Sequence, residues 1–176
     1  MDRAVKRYII PSIMVIVIAS SAYLLWANNQ QPSEVDENVS IGVTAGYRAR
    51  DLLLTGLDGE TIKLSDYLGS ILIIDFMAPW CNPCKEQIKI LKDVEGTPDV
   101  MIISINVDSE YNATYLQRFK EQEGMSWPLA SSSEAAQYYK VTAIPLIIFV
   151  DKEGVIRYRG YYTTLTQFEQ LIKDNG

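Results

Sequence analysis

Apolar and polar positions are arranged in three different ways along this chain, and each predicts a different kind of element. Tyr8 to Ala27 is almost wholly apolar and uncharged, interrupted only by Pro11, Ser12, Ser20 and Ser21. Some twenty helical residues at ~1.5 Å each span roughly 30 Å, the hydrocarbon thickness of a bilayer, so this stretch predicts a transmembrane helix. Pro11 falls in its first turn, where a missing N–H costs little. Tyr8, Tyr23 and Trp26 lie near its ends, where amphipathic rings favour the interface. Ile71 to Met77 and Val100 to Val107 are short apolar runs without alternation, the pattern of strands covered on both faces. Asn82 to Val94 instead carries Ile88, Leu91 and Val94 on one stripe, which predicts an amphipathic helix closed by Gly96-Thr97-Pro98.

The remaining elements follow from turn chemistry. Arg50 to Leu54 and Thr61 to Leu64 flank Leu57-Asp58-Gly59-Glu60 and predict a β-hairpin built on Asp-Gly. Ser65 to Gly69 reads as a short helical turn ended by glycine. Tyr111 to Glu123 and Ser133 to Tyr139 read as helices, and Leu165 to Lys173 as a closing one. Leu146 to Val150 and Val155 to Arg159 are strands joined by the turn Asp151-Lys152-Glu153-Gly154. The order β-α-β-α-(α)-β-β-α predicts an α/β domain whose sheet mixes parallel and antiparallel strands.

Charge orients the predicted span. Arg3, Lys6 and Arg7 precede it, whereas Glu34, Asp36 and Glu37 follow it. Basic flanks stay cytoplasmic, so the C-terminal body is expected outside the cytosol, on a single-pass protein of the cell membrane with the lipid bilayer as a partner. The organisation expected is a cytoplasmic N-terminus over 1–7, an anchor over 8–27, a polar linker over 28–45 and a folded domain over 46–176. A cleavable signal peptide is the alternative, with Ser20-Ser21-Ala22 as a small-residue site, and it also places the body outside. The net charge is −6. Without the first seven residues, thirteen basic and twenty-one acidic residues leave −8. Such an acidic surface argues against nucleic acid as a partner. Asn38-Val39-Ser40 and Asn112-Ala113-Thr114 match the N-glycosylation pattern.

The candidate chemistry sits where the first buried strand meets the helix. Cys81 and Cys84 are the only cysteines, and histidine is absent. A zinc site therefore lacks its usual further ligands. A structural staple across two intervening residues gains least from loop closure. A redox-active pair is the reading left. Cys81, at the helix start, gains thiolate stabilisation from unpaired N–H groups and the helix dipole, which predicts it as the exposed nucleophile. Cys84, about a turn deeper, is the expected resolving thiol, and Pro83 suits the first helical turn. Asp75 is a carboxylate inside the apolar run, where burial raises its pKa and makes it a proton acceptor for Cys84. The alternative is that Asp75 faces solvent or pairs with Lys85 or Lys63.

The stretch Asp75-Phe76-Met77-Ala78-Pro79-Trp80-Cys81-Asn82-Pro83-Cys84-Lys85 resembles the active-site region of the thioredoxin superfamily, and Val141-Thr142-Ala143-Ile144-Pro145 is similar to its cis-proline segment. With the Asp58-Gly59 hairpin and the extra segment Tyr111 to Tyr139, the body from Ala49 to Lys173 looks most like the TlpA-like branch. The resemblance implies a thioredoxin fold, a central mixed sheet flanked by helices, with an N-terminal hairpin and a helical insert. It implies a Cys81–Cys84 disulfide, a cis bond before Pro145, an Ile144 backbone that pairs with a substrate strand, and Trp80 on the rim of a docking groove. Taken alone, Pro145 reads as a strand-entry proline and Trp80 as a packed core aromatic. Met77 replaces the usual tryptophan after the strand phenylalanine. Gln87 stands where several members that reduce apocytochromes carry glutamate.

The function expected is an extracytoplasmic, membrane-anchored thiol–disulfide oxidoreductase that needs no cofactor and no metal. Its partners are a disulfide- or dithiol-containing protein and a membrane electron donor or acceptor. A disulfide-forming oxidant or isomerase is the alternative within the same chemistry, and a non-catalytic binding or chaperone module the alternative outside it. A peroxidase fits less well, because the Thr-x-x-Cys pattern is absent.

Overall fold

The computed structural model describes residues 39–176, and the expected membrane span over 8–27 lies outside them. Among the described residues, no helix is long and apolar enough to cross a membrane. The described residues open with two short pairings, β1 (Ile41–Gly42) parallel to β2 (Arg48–Ala49), then β3 (Leu53–Thr55) antiparallel to β4 (Thr61–Lys63). Gly59, at φ 85°, makes the β3–β4 turn, a conformation that costs a residue without Cβ little. A 3₁₀ turn over Leu64–Tyr67 leads into β5 (Ile71–Met77). There follow α1 (Asn82–Val94), β6 (Val100–Asn106), α2 (Ala113–Glu123), β7 (Leu129–Ser131), α3 (Ser133–Tyr138), β8 (Leu146–Val150), β9 (Ile156–Gly160) and α4 (Leu165–Asn175).

Five of these strands form one sheet in the order β7-β6-β5-β8-β9. β5 and β6 run parallel, as do β6 and β7, while β5–β8 and β8–β9 are antiparallel. The result is an α/β thioredoxin-like fold with a mixed sheet and flanking helices. Every residue of the central strand β5 is buried, as its unrelieved apolar run predicts. Its odd positions Ile71, Ile73 and Met77 share a layer with Ile88, Leu91 and Val94 of α1, Leu116 and Phe119 of α2, and Phe168 of α4. Its even positions Leu72, Ile74 and Phe76 face the other layer, with Leu52, Leu54 and Tyr139. Asp75, an odd position, therefore lies on the face covered by α1.

Several boundaries differ from the sequence expectation, and three of the differences have a plain local cause. β7 is unexpected, because three residues carry no readable period; it is held by parallel pairing of Leu129 with Ser104 at the sheet edge. The first hairpin strand begins at Leu53 rather than Arg50, since Asp51 Oδ1 accepts the Ser65 N–H at 2.9 Å and Leu52 O accepts the Leu64 N–H at 3.3 Å. β9 begins at Ile156 rather than Val155, whose N–H donates to Asp151 Oδ1 at 2.7 Å, and an irregularity opposite Phe149 and Val150 falls within the strand, between Ile156 and Tyr158.

Candidate active site

The parallel crossover from β5 to β6 places the start of α1 at the carboxyl end of the central strand. Ala78 O accepts the Cys81 N–H at 3.0 Å, and Cys81 then serves as N-cap of α1 with extended dihedrals (φ −81°, ψ 102°). Its Sγ accepts the Cys84 N–H at 3.2 Å. Sulfur thus occupies the position where an N-cap oxygen usually satisfies an orphan N–H, at the positive end of the helix dipole. Pro83 sits within the first helical turn, where its missing N–H is no loss.

Cys81 and Cys84 are joined by a disulfide with Cα atoms 5.2 Å apart. Cys84 is fully buried and Cys81 retains 3% exposure. Both are buried, so in this disulfide form Cys81 is not the exposed thiol that the sequence predicts. The reason is the segment before β8: Ile144 O lies 3.8 Å from Cys81 Sγ. The Ile144–Pro145 bond is cis. Trp80 is 60% exposed, not a packed core aromatic, and its Nε1 donates to Asp108 Oδ2 at 2.9 Å. Asp108 is itself placed by Asn106, whose Nδ2 donates to Asp108 O at 2.6 Å.

Asp75 is wholly buried and pairs with neither Lys85 nor Lys63. Burial raises its pKa to about 7, against the lowering effect of a hydrogen bond from Ser104. Ser104 Oγ donates to Asp75 Oδ2 at 2.9 Å, and Trp127 Nε1 donates to Ser104 Oγ at 2.9 Å. One turn beyond Cys84, the buried Gln87 bonds the backbone of Thr163 in the loop before α4. The sequence reading did not single out Ser104, Trp127, Asp108 or Thr163. Ser104 alone left a signal, as a hydroxyl within the apolar run of β6. Among the described residues there is no cluster of side chains suited to holding a metal ion.

This fold, with its paired cysteines closed at a helix start, defines a thioredoxin-like thiol–disulfide oxidoreductase. The AhpC/TSA family profile matches residues 45–159, and the chain belongs to that family. The thiol-disulfide oxidoreductase ResA of Geobacillus kaustophilus is 24% identical over 83% of this chain and 82% of its own length. The ResA of Bacillus cereus is 24% identical over 98% of this chain and 96% of its own. Among solved structures, a thiol-disulfide oxidoreductase from Bacteroides fragilis superposes with a TM-score of 0.63 at 21% identity, covering 72% of this chain and 98% of that one. StoA from Bacillus subtilis superposes with a TM-score of 0.59 at 23% identity, covering 70% and 96%.

Proposed function

We propose that this protein reduces disulfides of outward-facing proteins through its Cys-Asn-Pro-Cys pair, held at the membrane by residues 8–27. The observation that carries the reading is the Cys81 sulfur at the N-cap of α1, accepting the Cys84 N–H. A thiolate there is stabilised by the hydrogen bond and the helix terminus together. Cys81 as thiolate attacks one client sulfur; the client disulfide breaks, a mixed disulfide forms and one client thiolate leaves. Cys84 then gives its proton to Asp75 and attacks Cys81 Sγ. The Cys81–Cys84 bond closes, the second client thiolate departs, and two electrons have passed to the client.

Ile144 and Pro145 beside the sulfur, with Trp80 exposed next to it, supply the surface on which a client strand docks. The ResA relatives carry the name thiol-disulfide oxidoreductase, in keeping with this chemistry. Ala78 stands where the Thr-x-x-Cys pattern of a peroxidatic site would place threonine, which favours disulfide exchange over peroxide reduction. The basic residues before 8–27 and acidic ones after it support an outward-facing body.

The test is the reduction potential of the Cys81–Cys84 couple, with turnover of a protein disulfide by the full chain. A potential near the reducing end of the related range, about −270 mV, supports the reductase; one near −120 mV makes the protein an oxidant. Cys81→Ser abolishes turnover, whereas Cys84→Ser accumulates the mixed disulfide. Full client handling by Cys81→Ser would leave only a binding module.

A further inference from the structure

We propose that Ser104 and Trp127 form a directional hydrogen-bond relay that holds Asp75 Oδ2 as an acceptor and assigns proton exchange with Cys84 to Asp75 Oδ1. The proposal rests on the oxidoreductase reading above and adds two positioning residues to it. An indole N–H can only donate, so Trp127 Nε1, 2.9 Å from Ser104 Oγ, obliges that oxygen to accept. A serine hydroxyl carries one hydrogen, and here it points 2.9 Å away to Asp75 Oδ2. Oδ2 must therefore accept. A proton placed on Oδ2 would set two hydrogens between the same two oxygens, and Ser104 could not turn away without facing the Trp127 N–H.

The other oxygen, Asp75 Oδ1, is buried and has no hydrogen-bond partner among the described residues. A buried polar atom without a partner costs the fold stability, and such an atom calls for a reason. Proton exchange supplies one: Oδ1 takes the Cys84 proton when the mixed disulfide resolves and returns it when the pair is reduced again.

Placement makes the relay rigid. Asp75 and Ser104 are register partners on adjacent parallel strands, so both side chains rise on the face covered by α1. The layer around them contains Ile73 and Met77 of β5, Ile102 of β6, Ile147 of β8, Cys84, Ile88 and Leu91 of α1, Leu116 and Phe119 of α2, Trp127, and Phe168 of α4. The same layer holds Cys81, joined here to Cys84 as a disulfide, and the phenols of Tyr111 and Tyr158 pack against its margin; once the pair is reduced, its two thiols are the titratable groups of the buried layer. Gln87, buried beside them on α1, is neutral, and Lys85 of α1 lies over the Phe119 ring at 6.0 Å. The hydrogen bond from Ser104 favours the ionised carboxylate and opposes the effect of burial, which keeps Asp75 titrating about neutrality.

The experiment mixes the reduced full-length protein with dithiobis-nitrobenzoate and follows release of the coloured thiolate against pH. The first equivalent reports attack by Cys81, and the second reports resolution by Cys84. In the parent, the second phase has an inflection near pH 7, the value to which Asp75 is raised. Asp75→Asn removes that inflection. Ser104→Ala moves it upward by about one pH unit or more, the worth of a hydrogen bond to a charged group, and leaves the first phase unchanged. Trp127→Phe moves it the same way by less. Should Ser104→Ala fail to fold, Trp127→Phe carries the test, and the infrared carboxyl band of oxidised Trp127→Phe reads the shift without turnover. A second phase in the variants that follows the parent profile, or that slows equally at every pH, overturns the relay. Absence of any second equivalent from the parent overturns the oxidoreductase cycle itself.

Discussion

The side-chain amide of Gln87 and the backbone of Thr163 bond each other in both directions: Nε2 donates to Thr163 O at 3.0 Å, and Oε1 accepts from Thr163 N at 2.7 Å. Both groups are fully buried. The pairing copies a strand ladder with a side chain, and it ties α1, just beyond Cys84, to the loop leading into α4.

Gln87→Glu tests that pairing. A protonated carboxyl reproduces the amide pattern, one O–H donor and one acceptor, whereas an ionised one faces the Thr163 carbonyl with no hydrogen to offer. The folded state therefore raises the pKa of the new glutamate above its unfolded value of about 4.3. The variant is expected to match the parent in stability below about pH 4, then lose about 2 kcal/mol or more as pH rises to 7. Denaturant melts at the two pH values check this; a constant difference would contradict it.

Asp75→Asn is expected to stabilise the protein in a pH-dependent way. A carboxyl that titrates near 3.9 unfolded but about 7 folded costs the native state about 4 kcal/mol once both forms are ionised. That cost is absent below about pH 4, grows through the interval and is complete above pH 7. Melts of the oxidised parent and variant should diverge as pH increases, with the variant the more stable. Parallel curves would show that Asp75 does not titrate in this window.

The indole of Trp80 is held by Asp108 at the edge of the site. Asp108→Ala releases it and is expected to raise KM for a protein disulfide several-fold, while dithiobis-nitrobenzoate reacts at the parent rate. Loss of stability should stay within about 1 kcal/mol apart from the disturbed loop, since the ring is already largely exposed. Equal slowing toward both substrates would remove Trp80 from client docking.

Asp151, 3% exposed, closes the turn between β8 and β9. Its carboxylate accepts the N–H groups of Val155 and Glu153 and pairs with Arg157. Asp151→Ala strands two backbone donors and is expected to cost about 2–4 kcal/mol in thermal or denaturant unfolding, with the reactivity of Cys81 unchanged in the folded fraction.

Elements with a strong period or an unambiguous turn were legible in the chain: β5, α1 and β8 run between the residues the pattern predicts. The two cysteines announced their chemistry by spacing and by the absence of a third cysteine or any histidine. Short edge elements such as β7 were not legible, because three residues present no period and are strands only by virtue of the neighbour they pair with.

Local information also sufficed to mark Asp75 as anomalous, since a carboxylate in an unbroken apolar run is conspicuous wherever the chain goes. Its partners are another matter. Ser104 is 29 residues away and Trp127 is 23 residues beyond that. Likewise Gln87 meets Thr163 across 76 residues, and Ile144 meets Cys81 across 63. Period and propensity act over a few residues, so they place a side chain on a face of its own element. Which hydroxyl or carbonyl comes within 3 Å of it depends on strand order and register, and these are set by burial of the whole apolar surface at once.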